Sequence, residues 1–353
     1  MVSLPNRAEP ADPADPGIRT EAQIRCVGCG SIGQPRYENL RDRFFGASGR
    51  WNLSRCLGAQ CGMLWLDPMP LADDIWKAYR DYYTHEEAVG RILSPSERVV
   101  RPILQSIKRA YVAARLGYTD RRVTARERML AMLAGLAPTR RADTDFPLKY
   151  LPYAARGRML DVGCGSGELL VRMRALGWRT EGIDNDPAAV AVARGRALKV
   201  HAGSLRERNF PAAAFDAVVM SHVIEHVHQP RELLAEVRRI VKPGGRVVIA
   251  TPNAASLGHR MMRAAWPFLD PPRHLQIFTP PALEATVRAV GFDDVRMCTE
   301  MRTAAAMLPR SQSGRWTRVC ARRVASRVVE YGENLALHFD AHLGEEIALV
   351  AVR

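Results

Sequence analysis

The sequence predicts an α/β fold, a doubly wound and largely parallel sheet, on three observations. Met159-Leu160-Asp161-Val162-Gly163-Cys164-Gly165-Ser166-Gly167-Glu168 reads as a short buried strand, a glycine turn and the start of a helix. Glu181-Gly182-Ile183-Asp184 then closes a second apolar strand with a carboxylate, at the spacing of roughly twenty residues expected for an acid that grips ribose hydroxyls. Beyond it, apolar strand-like segments alternate with helical patterns to the end of the chain. A strand that opens into a helix through glycines presents bare backbone N–H groups at a positive helix end, where a polar ligand can sit close. Together these features predict a nucleoside-binding half-domain.

Taken in order, residues 1–22 carry Pro5, Pro10, Pro13 and Pro16 among Ala and Asp. They lack the basic start and apolar run of a signal peptide and read as a disordered tail. Cys26-Val27-Gly28-Cys29-Gly30 is a knuckle-type turn, and Cys56 and Cys61, closed by Gly62, form a second and wider pair. Two thiol pairs about thirty residues apart suit a tetrahedral structural Zn²⁺, because four soft thiolates close its shell and leave no place for an activated water. Segment 23–70 has too little core to fold alone, and the metal would supply that stability. A redox dithiol or unrelated buried cysteines are the competing readings. The odd total of seven cysteines, without a secretion signal, argues against a disulfide framework.

Segment 71–155 reads as a helical linker or lid. Val100, Ile103, Leu104, Ile107, Tyr111 and Ala114 recur at helical steps with Ser96 as N-cap, and a second helix near 121–136 ends before Pro138. Strands are expected at 158–163, 179–184, 197–201, 215–220, 245–251, 293–299 and 345–352, with a helical insertion over 303–343 before the last.

The net charge of +14 invites a nucleic-acid reading. Lysine, however, occurs only at 77, 108, 149, 199 and 242, and arginine supplies the rest. That lopsidedness points to compositional bias, and nucleic acid is not an expected partner. No run of eighteen apolar residues exists, so a cytoplasmic protein without a membrane span is expected.

The glycines after Asp161 alternate as G-x-G-x-G rather than following the dinucleotide pattern G-x-G-x-x-G. This segment resembles motif I of the class I S-adenosylmethionine (SAM) methyltransferases. The resemblance continues in order through Asp184-Asn185-Asp186-Pro187, Phe215-Asp216-Ala217-Val218-Val219-Met220-Ser221-His222-Val223-Ile224-Glu225-His226, Ile240-Val241-Lys242-Pro243-Gly244-Gly245 and Pro271-Pro272-Arg273-His274. It covers residues 156–298, within a domain expected to span 156–353. It implies a seven-stranded Rossmann-like methyltransferase sheet whose last strand lies antiparallel between strands five and six, with SAM as cofactor. The resemblance places Asp161, Gly163, Cys164, Gly165 and Gly167 at the cofactor's amino-acid end, Asp184 on the ribose and Asn185 beside the adenine. Ser204 and Leu205 stand where many relatives put an Asp for the adenine amine, and Ser221 ends strand four toward the reacting methyl. Cys61-Gly62-Met63-Leu64-Trp65-Leu66-Asp67-Pro68-Met69-Pro70, followed by Tyr79 and Asp81-Tyr82-Tyr83, resembles the N-terminal zinc-binding segment of methyltransferases of sugar, polysaccharide and secondary-metabolite pathways. Some of those carry a further C-terminal domain; none is expected here, which leaves sugar C-methylation unsupported.

On the acceptor side, the candidates for catalysis are His222, Glu225, His226 and His274, because an imidazole near its ordinary pKa takes a proton at neutral pH. Each also has a structural reading, as a packed histidine or a bracing carboxylate. The run is not H-E-x-x-H, although His222 and His226 are four apart and a metal pair stays open. Arg273 suits an anionic or hydroxylated substrate, with Trp266 and Phe278 as its apolar wall. The D/N-P-P-Y/F tetrad of DNA amino-methyltransferases has no counterpart at 221–224, and Asp270-Pro271-Pro272 follows the wrong strand. The expected function is methylation of a small hydroxylated metabolite, sugar or glycoconjugate. The alternatives are methylation of RNA or protein and a non-catalytic SAM-binding or zinc-ribbon scaffold. Oligomeric state is not legible.

Overall fold

The computed structural model describes residues 17–80, 110–114, 116–118, 124–126, 129, 149–152, 157–300 and 340–353. The tail through residue 16, most of the expected lid with Tyr82 and Tyr83, and most of the 303–343 insertion lie outside the described residues.

Strands β1 (Thr20–Glu21), β2 (Gly33–Leu40), β3 (Trp51–Cys56), β4 (Leu64–Leu66) and β5 (Met69–Pro70) lead to a 3-10 turn at Ile75–Tyr79. The second half runs β6 (Arg158–Val162), α1 (Glu168–Ala175), β7 (Arg179–Asp184), α2 (Pro187–Gly195), β8 (Val200–Ala202) and α3 (Leu205–Arg208). It continues through β9 (Phe215–Ser221), α4 (Pro230–Ile240), β10 (Val241–Pro252), α5 (Leu257–Met262), β11 (Gln276–Ile277), α6 (Pro280–Ala289), β12 (Asp293–Glu300) and β13 (Glu346–Val352).

Seven of these strands form one sheet in the order β12-β13-β10-β9-β6-β7-β8. The five from β10 to β8 are parallel, and β13 runs antiparallel between β10 and β12. This is the Rossmann-like methyltransferase topology that the resemblance implied. The third strand begins at Val200 instead of 197. Central strands covered on both faces must be apolar on both, and Met159, Leu160, Val218, Val219, Val248 and Ile249 are all buried. Strand order reverses between β6 and β9, so the crevice at their carboxyl ends is the switch point where such sheets bind ligands.

The helices start where the local chemistry dictates. Asp186 accepts from the Ala188 and Ala189 amides ahead of Pro187, and Ser204 and Glu207 close a reciprocal capping box on α3. Thr279 caps α6.

The N-terminal segment is built into this body. Its four-stranded sheet has the order β11-β4-β3-β2, so one strand comes from the segment beyond β10. Gln276 pairs with Trp65 and Ile277 with Leu64. Leu53, Leu64, Trp65 and Leu66 share one contiguous apolar core with Leu275, Ile277, Phe278 and Ile249. The Trp65 indole N–H donates to the Gln23 carbonyl at 2.6 Å, which satisfies its polar atom on burial.

Candidate functional site

The glycine turn leaves β6 with φ values of 70°, 51° and 84° at Gly163, Gly165 and Gly167, the left-handed region where a side chain is strained. Packing demands glycine at two of the three. A Cβ on Gly163 would stand 2.5 Å from Val223, and one on Gly167 would stand 2.3 Å from Leu198. At Gly165 nothing lies within 4 Å, so a bare backbone turn faces open space. Its N–H donates to Asp184 Oδ2 at 2.7 Å, while Asp184 Oδ1 accepts from the Asp186 amide at 2.9 Å. The tips of β6 and β7 are thereby tied together by one carboxylate.

Behind the turn, Asp161 is buried, and burial pushes its carboxyl up to about 7; the positive charge of Lys149 opposes that rise and Asp184 adds to it. The Lys149 ammonium donates to Ser221 Oγ at 2.9 Å. Cys164 is buried with its thiol inward, Asn185 is exposed and Leu205 is buried. The Ser204 hydroxyl is engaged in its cap. An open backbone turn beside two carboxylates, Asp161 and Asp184, fits a nucleoside whose amino-acid end carries an ammonium group, as SAM's does.

On the far side of the switch point, β9 ends at Ser221 and the backbone turns sharply at His222, φ 56°. The imidazole lies between two carboxylates, Nδ1 at 3.2 Å from Glu225 and Nε2 at 2.6 Å from Glu346. Burial alone would push this imidazole down, but the two carboxylates outweigh it and raise it to about 10. Glu225 is fully buried; burial pushes it up, yet the His222 cation prevails and holds it at about 2. Its Oε2 accepts from the Thr251 hydroxyl at 2.9 Å.

His226 is pushed down to about 4 by burial and by neighbouring His274. Its Nδ1 lies 2.9 Å from the Arg273 carbonyl and 3.0 Å from the Tyr79 hydroxyl. The His226 and His274 rings meet edge to face, centroids 4.8 Å apart, and His274 Nδ1 lies 2.8 Å from the Phe268 carbonyl.

Three residues expected to meet substrate are engaged inside the protein. Arg273 is fully buried and its guanidinium is spent on Asp42, Asp270 and the Ala78 carbonyl. Phe278 is fully buried, and Trp266 donates its indole N–H to Glu345 at 2.8 Å. A long apolar loop looked like a substrate wall; tertiary packing takes it as core instead.

The four N-terminal cysteines converge. Cys26 and Cys61 sulfurs are 3.6 Å apart, those of Cys29 and Cys56 3.3 Å, and all four lie within 4.8 Å of one another. A tetrahedral ion with Zn–S bonds of about 2.3 Å sets its sulfurs about 3.8 Å apart, so the donor set fits zinc. The Gly58 N–H donates to Cys56 Sγ at 3.3 Å. Both knuckles are clamped to the main body, Gly28 through its carbonyl to the Arg231 guanidinium and Cys61 through its carbonyl to the Thr279 hydroxyl.

Lys149, Glu346 and Asp42 are site neighbours to which sequence reasoning gave no role, and Tyr79, read only as part of the zinc-segment resemblance, is a fourth. Their partners lie 72, 124, 231 and 147 positions away, and no local period carries a signal across such gaps. Among the described residues, no helix is long and apolar enough to cross a membrane.

Residues 133–296 match the family model described as a methyltransferase domain. The chain is similar to the mitochondrial ubiquinone biosynthesis O-methyltransferase of Schizosaccharomyces pombe, 38% identical over 104 residues, covering 27% of this chain and 37% of that one. It is also similar to the malonyl-[acyl-carrier protein] O-methyltransferase of Serratia marcescens, 32% identical over 148 residues, covering 41% of this chain and 56% of that one. Among solved structures, a SAM-dependent methyltransferase from Archaeoglobus fulgidus aligns at 24% identity with a TM-score of 0.43, covering 62% of this chain and 94% of that one. The chain thus spans less than two thirds of the length of these two curated relatives.

Proposed function

We propose, from the premise that residues 133–296 are a class I SAM-dependent methyltransferase domain, that the chain methylates a small hydroxylated metabolite, sugar or glycoconjugate. The observation that carries this reading is the open turn at Gly165, joined to Asp184 across the tips of β6 and β7 beside the switch point. The two O-methyltransferase relatives, named for ubiquinone biosynthesis and for malonyl-[acyl-carrier protein], support an oxygen acceptor on a small or carrier-bound molecule.

SAM, when bound, supplies a methyl group already activated on a sulfonium. Asp161 and the backbone of Gly163, Cys164, Gly165 and Gly167 would hold its amino-acid end. Asp184 would accept the ribose hydroxyls, and Asn185 with the backbone at Ser204 and Leu205 would flank the adenine. Ser221 stands between that pocket and the acceptor side.

Acceptor deprotonation is assigned to the cluster of Glu225, His226 and His274. His222 is the weaker candidate base, since an imidazole held cationic between two carboxylates has no lone pair to offer. It is assigned instead to orient Glu225. Cys26, Cys29, Cys56 and Cys61 are assigned a structural Zn²⁺ that completes the N-terminal segment. The division into tail 1–22, zinc ribbon 23–70, linker or lid 71–155 and methyltransferase domain 156–353 is proposed on the same basis, with β11 lent by the last of these to the sheet of the second.

Calorimetric titration with S-adenosylhomocysteine, run beside NADH, tests the cofactor. Saturable binding of the first and none of the second is expected. No binding by a folded, zinc-replete sample would overturn the enzyme reading and leave the scaffold.

A further inference from the structure

We infer that Glu225, His226 and His274 form a second metal site, separate from the four cysteines, for a divalent first-row cation that favours nitrogen and oxygen donors. The three residues each offer one ligand atom, and these atoms lie within 4.8 Å of one another. They come from the 3-10 turn after β9 and from the loop entering β11, so the set exists only in the folded chain.

The orientation of the donors supports the site. Each imidazole commits Nδ1 to a backbone carbonyl, His226 to Arg273 at 2.9 Å and His274 to Phe268 at 2.8 Å. A ring that donates Nδ1–H to a carbonyl presents Nε2 as a lone pair, the usual way a protein fixes the tautomer of a metal-binding histidine. Among the described residues neither Nε2 has a hydrogen-bond partner. The third donor is a carboxylate oxygen of Glu225; its Oε1 is buried and makes no hydrogen bond, while its sister oxygen is held by Thr251. The His222 ring nitrogen stands 3.2 Å from Oε1 as an ion-pair partner, but Oε1 accepts no hydrogen bond. A buried carboxylate oxygen that accepts no hydrogen bond has coordination capacity left beside its ion pair with His222, and a cation shared with two imidazoles would use it.

Two imidazoles and one carboxylate suit Mn²⁺, Fe²⁺, Co²⁺ or Zn²⁺ and offer no thiolate to select a softer ion. Three protein ligands leave coordination positions open, unlike the closed four-sulfur site. A cation there would bind an acceptor hydroxyl and lower its pKa, so that the proton passes to solvent water while Glu225, His226 and His274 serve as ligands in place of the base role given to them above. That use rests on the methyltransferase reading; the site itself does not.

Cobalt titration of metal-stripped, full-length protein tests the site directly. Two equivalents per chain are expected, one with the thiolate-to-cobalt charge-transfer band of the cysteine site and one without it. Glu225→Gln and His274→Gln should each weaken the second equivalent by at least the roughly 10–100-fold that loss of an outer-shell partner costs, with the charge-transfer band unchanged. That band also reports that each variant keeps its N-terminal fold. If wild-type protein takes up only cobalt that shows the thiolate band, or if both variants bind the second equivalent as wild type does, the site is overturned. Cobalt bound without any thiolate band would uphold this site while removing the cysteine one.

Discussion

The guanidinium of Arg273 and the carboxylate of Asp42 meet at 2.7 and 3.0 Å across 231 positions of sequence, both side chains fully buried. Asp42 also accepts from the amides of Phe44, Phe45 and Ala47, and Phe45 places its ring under the guanidinium at 4.6 Å. The pair therefore locks the β2–β3 loop to the loop that carries His274. The Arg273 carbonyl holds His226, so the N-terminal segment reaches the acceptor side through this contact, through Tyr79 on His226 and through the Pro70 carbonyl on His228.

Removing one partner of a buried pair strands the other charge, which costs about 3–5 kcal/mol. Asp42→Asn should lower stability by that amount in denaturant unfolding of the metal-replete protein. A loss below about 1 kcal/mol, the worth of an exposed pair, would mean that Asp270 alone compensates Arg273.

Asp161 gives stability a pH dependence opposite to that of most carboxylates. Burial pushes it up to about 7, against about 3.9 in the unfolded chain. Between those values the folded chain holds a proton that the unfolded chain has released. Its contribution is therefore fully present below about pH 4 and lost as pH rises through about 7. Asp161→Asn should gain stability relative to wild type on moving from about pH 5 to about pH 8. Unfolding midpoints that shift in parallel for the two proteins would show that Asp161 ionises normally.

Zinc should matter beyond its own loops. Cys61 is hydrogen-bonded through its carbonyl to Thr279, the N-cap of α6, and Leu64 and Trp65 pair with β11. Cys26→Ser and Cys61→Ser are expected to lose bound zinc and to raise amide exchange in β3, β4 and β11 together. Full zinc retention in either variant would refute the four-cysteine site.

What was legible in the sequence is what is contiguous in it. Each parallel strand, the glycine turn and the Asp184 tip are single short runs whose period and punctuation announce them, and the cysteine pairs carry their spacing within a few residues. The two-residue strand Gln276–Ile277 has no period to read, so its membership in the N-terminal sheet was invisible. Arg273 and Trp266 misled because a charged or aromatic side chain in a long loop reads as exposed. Only the fold supplies the Asp42 and Glu345 carboxylates that make their burial tolerable. The surroundings of His222 were hidden for the same reason: Glu225 is three residues away, but Glu346, which completes its cage, arrives from the last strand.

Cofactor binding at the glycine turn can be separated from folding. Asp184→Ala should weaken S-adenosylhomocysteine binding by about 1–3 kcal/mol, the cost of leaving polar groups unpaired. Asp184 also accepts from the Gly165 and Asp186 amides, so that loss alone would mix ligand contact with loop order. Gly165→Ala resolves the two. Its methyl would meet no protein atom within 4 Å, and the strain of a left-handed alanine costs about 1–2 kcal/mol of stability. If the cofactor packs against this turn, the same methyl enters its space, and affinity should fall by more than about tenfold, or 1.4 kcal/mol, in a protein that still unfolds cooperatively. Gly163→Ala is the contrasting case, because its methyl would collide with Val223 and should lower stability first. Unchanged affinity in a folded Gly165→Ala protein would move the cofactor away from this turn.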